Sequence, residues 1–354
     1  MSMMVNPYAV VAAGGGGGGG DPGILAAGFV TMSGTTPTLN RQKNVSSSIT
    51  RNSAGDYTVS FSSALAHANY FVLGFARAVD GASDGFMVVT AKAGGAYSTA
   101  SVQIAVEAAP ATLTDPLYWG FLIVDAALLA DADYLAAAMW TISGGVVTLE
   151  KQLNMASVAR AAAGRYTANY ASALADANYS SFRAARFAAT NLGNPRLSTD
   201  RSIGGGDNSY TSALQDFRAW TSSATFGEVD KGGVLAKYAS GEVPGQVAAV
   251  RFDGSGNIIS QHNVSSVVNQ GSSVWRVTFT TPLPHAENLV LCTAKDIDQA
   301  SGSSADWAGP NPNTTSSRGN FSTTSVDVFV ATVGGTADTS FANADVWVID
   351  PSLA

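Results

Sequence analysis

Apolar and polar residues alternate with a period of two along much of this chain, a pattern that predicts half-buried β-strands. Tyr57, Val59 and Phe61 alternate with Thr58 and Ser60, so one face of that segment is apolar and the other hydroxylated. Trp275, Val277 and Phe279 repeat the pattern, with Arg276 and Thr278 facing outward. A second strand is expected over residues 69–74 and 288–291, after a turn carried by Ala66-His67-Ala68 or Pro284-His285-Ala286. Closing strands are expected at 119–124, 217–222 and 346–349. Thr31-Met32-Ser33-Gly34, Thr141-Ile142-Ser143-Gly144 and Arg251-Phe252-Asp253-Gly254 each read as a strand running into a tight turn. The alanine- and leucine-rich stretch 126–137 reads as one short helix. Residues 231–247 read as a loose connection, and 298–320 as a long loop around Trp307.

These elements recur. Gly55-Asp56-Tyr57-Thr58 returns as Gly164-Arg165-Tyr166-Thr167, and Ser63-Ala64-Leu65-Ala66 as Ser172-Ala173-Leu174-Ala175. Ala68-Asn69-Tyr70 likewise returns as Ala177-Asn178-Tyr179, all at one offset. A third copy keeps Trp275-Arg276-Val277-Thr278-Phe279 and Leu283-Pro284-His285-Ala286, with one extra residue before Asn288. Upstream, Asn44-Val45-Ser46-Ser47, Asn154-Met155-Ala156-Ser157 and Asn263-Val264-Ser265-Ser266 precede the copies by similar distances. A repeat of about 100 residues, with many short strands and regular turn signals, indicates tandem all-β units. The expected organisation is an N-terminal arm over 1–25 and three β-sandwich or jelly-roll-like modules over 26–126, 137–230 and 247–354. The arm joins an apolar start containing Asn6, Pro7 and Tyr8 to a run of glycines from Gly14 to Gly20. Its composition is that of a tether.

Composition narrows the function classes. The net charge is −7, and the 19 Lys and Arg are scattered; Arg183 and Arg186 form a pair, not a patch. Nucleic-acid binding runs on clustered cations, so no such partner is expected. No apolar run reaches the ~18 residues of a membrane-spanning helix, so no membrane insertion is expected, and no secretory signal is read at the N-terminus. One cysteine, Cys292, cannot build an intrachain disulfide framework.

Candidate chemistry is sparse. Of three histidines, His67 and His285 occupy equivalent turns where the middle copy has Asp176. They read as polar turn residues, because no second ligand stands at metal spacing. Cys292 alternates like a buried strand position. Glu107, Glu228, Asp230 and Asp306 are scattered carboxylates that do not recur between copies, and a glycosidase pair is recognised by separation in space rather than in sequence. No cofactor, no metal and no enzymatic activity are therefore expected. Aromatics in Gly- and Ser-rich stretches are the better lead. Trp307, Tyr97 and Tyr210 are the candidate surface-binding residues, suited to stacking on sugar rings or anchoring a partner.

The string Gly-x-Tyr-Thr-Val-x-Phe, then Ala-Leu and Ala-Asn-Tyr, resembles one found in virion proteins of tailed bacteriophages, especially the β-sandwich modules of tail fibres and appendages. Asn6-Pro7-Tyr8 followed by the glycine run resembles the start of some tail-associated proteins. The resemblance implies a virion structural protein, tail-associated and fibre- or adhesin-like, assembled in the host cytoplasm. Asn6, Pro7, Tyr8, Gly14 and Gly20 would belong to an anchor on tail or baseplate proteins, and the modules would contact a host-surface glycan or protein. A capsid decoration or head-fibre protein is the close alternative; a carbohydrate-binding or carbohydrate-degrading protein outside any virion is the other. A homo-oligomer is expected, although three modules in one chain could also pack around a pseudo-threefold.

Overall fold

The structure, a computed structural model, describes residues 22–77, 87–108, 112–129, 133–177, 179–187, 196–199, 211–220, 228–241, 243–271, 273–296, 306–310, 322–332 and 341–354. The described residues are all-β and contain no helix, hence none long and apolar enough to cross a membrane.

The first segment holds β1 (Ile24–Ser33), β2 (Thr36–Lys43), β3 (Val45–Ser53), β4 (Asp56–Phe61), β5 (Phe71–Arg77), β6 (Met87–Ala91), β7 (Ser101–Ala108), β8 (Thr112–Leu113) and β9 (Tyr118–Val124). The second holds β10 (Tyr134–Ser143), β11 (Val146–Leu153), β12 (Met155–Ala162), β13 (Arg165–Tyr170), β14 (Ser180–Phe187), β15 (Arg196–Thr199), β16 (Leu214–Trp220) and β17 (Val229–Lys237). The third holds β18 (Gln246–Phe252), β19 (Ile258–His262), β20 (Val264–Gly271), β21 (Val274–Phe279), β22 (Leu289–Asp296), β23 (Asp306–Pro310), β24 (Ser325–Thr332) and β25 (Phe341–Ile349). Each segment forms two antiparallel sheets of one topology. The inner sheets run β2-β1-β9-β5, β11-β10-β17-β14 and β19-β18-β25-β22. The outer sheets run β3-β4-β7-β6, with β8 added on β7, then β12-β13-β16-β15 and β20-β21-β24-β23.

Four expectations are corrected by this topology. Within 126–137, residues 126–128 form a turn and 134–137 begin β10, so the described residues of this stretch are not helical. Of the closing strand expected at 217–222, residues 217–220 are the end of β16, an outer-sheet strand, and 221–222 lie outside the described residues; the closing strand equivalent to β9 and β25 is β17. That strand occupies much of the supposed connection at 231–247 and carries the second pair of sheets past residue 230, to Lys237. Within 298–320, residues 306–310 form β23 and pair with β24.

The two sheet types bury their faces differently. Outer-sheet β4 and β13 alternate, with Tyr57, Val59 and Phe61, or Tyr166, Ala168 and Tyr170, turned into the sandwich. The inner-sheet edge strands β2, β11 and β19 are half exposed, but β1, β9, β10, β17, β18 and β25 are largely buried on both faces and carry near-continuous apolar runs, the signature of a doubly covered strand. In β9, Trp119, Phe121 and Ile123 fill the first sandwich, while Leu122 and Val124 face a core shared with the other segments. In β5, Val72 and Ala76 turn inward and Phe71, Leu73 and Phe75 outward to that shared core.

The shared core is a closed ring. Gly120 of β9 is covered by Leu289 of β22, and Gly233 of β17 by the ring of Phe71 in β5, so closely that a Cβ at either glycine would overlap its neighbour. At the third seam Ser180 of β14 donates to Asp345 of β25 at 2.7 Å. Gly120, Gly233 and Asp345 are equivalent by register, opposite Phe29, Met139 and Arg251. Leu289, Phe71 and Ser180 are the equivalent first pairs of their strands, opposite Ile349, Val124 and Lys237. First meets third, second meets first and third meets second through the same positions, which is a heterologous contact closing after three steps. The chain thus folds as a pinwheel with internal pseudo-threefold symmetry.

One asparagine in each segment fixes the corner between inner and outer sheets. Asn44, Asn154 and Asn263 have φ of 50°, 46° and 53°, the left-handed region that Asn tolerates better than most residues. Each amide donates to two carbonyls, Leu25 and Ser63, Leu135 and Ser172, or Val247 and Thr281, at 2.9–3.2 Å. Each Oδ1 accepts the backbone N–H of Ser63, Ser172 or Thr281 at 2.8–2.9 Å.

Candidate functional site

The seam between the first and second sandwiches opens into a cleft, and Tyr97 stands in it. The connection from β6 to β7 turns tightly, with Gly95 N donating to Lys92 O at 3.0 Å and Gln103 N to Ala96 O at 2.8 Å. This carries Tyr97 back onto Tyr70. The two rings stack at 4.4 Å and 17°, the Tyr97 hydroxyl donates to the Tyr70 carbonyl, and the Tyr70 hydroxyl donates to Ser98 O at 2.9 Å. Burial drives the phenol pKa of Tyr97 well above its ordinary value. The second sandwich supplies two cations over the same ring, Lys231 Nζ at 4.7 Å and Arg186 Cζ at 5.3 Å from the centroid. Each such contact contributes about 0.5–2 kcal/mol.

Arg186 and Lys231 are direct cross-strand partners on β14 and β17. Arg186 is held by Asp230 in a bidentate pair, Nε–Oδ1 at 2.9 Å and Nη2–Oδ2 at 2.5 Å. Burial first, and then the Arg186 charge, lower the Lys231 pKa, against opposing pulls from Asp230 and Glu150. Phe71, Val72 and Ala184 complete the apolar wall. The cleft is open to solvent, and its enclosed space is on the order of one water molecule.

Other chemistry-bearing groups are consumed structurally. His67 Nε2 lies 2.8 Å from Asp125, while its Nδ1 accepts the Asn69 N–H at 3.2 Å. Both ring nitrogens thus face protein groups, which leaves neither for a nucleophile. His285 and Asp350 repeat the pair at 2.8 Å, and Ser352 Oγ bonds the carboxylate at 2.7 Å rather than the imidazole. A catalytic triad needs the histidine between the other two groups, so this is not one. Burial and neighbouring Asp345 push the Cys292 thiol far above its ordinary pKa, which makes it a poor nucleophile. Glu228 is held by Arg160 at 2.6 Å and Asp230 by Arg186, while Glu107 is buried. Among the described residues no group of three His, Cys, Asp or Glu could hold a metal.

The residues singled out in the sequence fare differently. Tyr97 is packed into an intersandwich seam instead of standing free on the surface, because Tyr70 and the two cations of the second sandwich cover it. Trp307 lies in β23, an edge strand, with its backbone paired to Ala331. Tyr210, Asn6, Pro7, Tyr8, Gly14 and Gly20 lie outside the described residues. Sequence reasoning missed Lys231 and passed over Arg186. Their proximity to each other and to Tyr97 depends on strand register and ring closure, which no local spacing encodes. No family model, no curated protein and no solved structure matches this chain.

Proposed function

We propose that this chain is a structural protein of a tailed-bacteriophage virion, tail-associated and fibre- or adhesin-like, tethered by its N-terminal segment and contributing to host-surface binding. The observation that carries the reading is the closed pinwheel of three equivalent sandwiches within one chain. Such a body multiplies similar surfaces on one rigid unit, and multiplied weak contacts give avidity without a deep pocket. The proposed tether would lead into β1, which begins at Ile24, so removing residues 1–21 leaves every described strand intact. The homo-oligomer expected from sequence would then be an assembly of such closed bodies.

The test is mass spectrometry of purified particles, with immunolabelling against the third sandwich, repeated on a chain lacking residues 1–21. Label at the tail that disappears with the deletion, while the truncated body stays folded, supports the proposal. Label over the capsid would assign a decoration role instead. Absence from particles would overturn the virion reading in favour of a free carbohydrate-binding protein.

A further inference from the structure

The three seams of the pinwheel are equivalent in backbone but not in chemistry. The position of Lys231 is held by Tyr118 in the first sandwich and Asn343 in the third; that of Arg186 is held by Arg77 and Lys295. In the first sandwich the pairing satisfies itself, since the Arg77 guanidinium sits 5.6 Å from the Tyr118 ring across the strands. In the second, the ring is supplied by the neighbouring sandwich as Tyr97, and a second cation stands where the first sandwich has its own ring. Like charges directly opposite on a sheet are destabilising. Asp230 commits both carboxylate oxygens to Arg186, and Glu150 accepts from Thr141 at 2.8 Å. Neither forms an ion pair with Lys231, whose ammonium meets a ring face and the open cleft. A half-buried cation facing a small, solvent-accessible space with apolar walls is an incomplete electrostatic arrangement that a small anion would complete.

We propose that the cleft between the first and second sandwiches is a binding site for a small carboxylate, one oxygen of which enters the enclosed space beside Lys231. The enclosed space is on the order of one water molecule, so it takes one carboxylate oxygen, and the rest of the ligand lies in the open part of the cleft, towards solvent. Lys231 supplies the charge-assisted contact, while Arg186, pinned by Asp230, adds positive potential. Tyr97 and the Phe71, Val72 and Ala184 wall make one side of the cleft apolar, which strengthens both interactions. The proposal stands on the seam geometry and is independent of the virion reading.

The test uses the full chain with acetate as a free carboxylate and glucuronate as a sugar-borne one, followed by ligand-observed NMR titration. Saturable binding is expected, weakened about tenfold or more in Lys231→Met, the loss appropriate to one charge-assisted hydrogen bond. Binding of acetate alone would restrict the site to free anions; binding of glucuronate at least as well would extend it to acidic sugars. A second readout needs no variant: saturating carboxylate should slow acylation of Lys231 relative to the other lysines, read by peptide mass spectrometry. No saturable binding of either probe would overturn the proposal. So would equal binding by a folded Lys231→Met chain, or, if that variant fails to fold, unchanged acylation of Lys231 in the wild-type chain.

Discussion

At the scale of single residues, the corner asparagines combine a backbone requirement with a hydrogen-bond requirement, and substitution separates the two. Asn154→Gly keeps the left-handed backbone but strips Leu135 O and Ser172 O of a donor and Ser172 N of an acceptor, a loss of about 1–3 kcal/mol. Asn154→Ala adds about 1–2 kcal/mol for a β-carbon in that region. The order wild type, Gly, Ala is expected in urea midpoints; equal midpoints for Gly and Ala would show that φ is not limiting. Asp115 gives a pH signature. Burial pushes its carboxyl pKa up, but hydrogen bonds from Arg51, Tyr57 and the Gly55 N–H outweigh that and leave it lowered. The unfolded chain then binds the proton more readily, so this stability is present above the ordinary carboxylate range near pH ~4 and lost as pH falls through the folded value. Asp115→Asn should flatten the acid limb of a stability-against-pH curve, and an unchanged limb would contradict the assignment.

At the scale of strands and seams, the alternating strands were readable and the doubly buried ones were not. Tyr57, Val59 and Phe61 announce β4 because one face is wet. In β17, Gly232 and Gly233 look like a flexible link, yet they are small because the Trp140 and Phe71 rings press on them from either side. The first sandwich solves the same packing problem in reverse, with Trp119 opposite the smaller Val30. Residues 134–137 lack alternation for a related reason: β10 is covered on both faces, so its apolar run mimics a buried helix. Tyr97 sits among Gly and Ser like a loop tip, and only the ring closure reveals its partners. The seam between second and third sandwiches holds a buried ion pair, Arg251 Nη1 to Asp345 Oδ1 at 3.6 Å, with both side chains under 5% exposed. Arg251→Ala strands Asp345 and should cost about 3–5 kcal/mol. Arg251→Met combined with Asp345→Asn keeps an acceptor for Ser180 and should recover most of that. Denaturant unfolding of the two variants decides it, and equal losses would mean that the charge itself is not the burden.

At the scale of the molecule, the shared core makes the sandwiches interdependent. A fragment of residues 22–129 would expose Phe71, Leu73, Phe75 and Leu122 together, an apolar patch that monomeric proteins seldom leave open. It should self-associate in size-exclusion chromatography with light scattering, whereas the full chain should melt in one calorimetric transition. A monomeric fragment with the melting temperature of the full chain would refute the interdependence.

Closure of the ring within one polypeptide also removes two constraints that bind any trimer of separate chains. Its assembly is unimolecular, so dilution cannot take it apart. A substitution, moreover, lands on one seam at a time. The polar seam at Arg251, the apolar one at Leu289 and the cationic one at Lys231 are what that freedom permits: three chemically distinct joints under a single backbone plan.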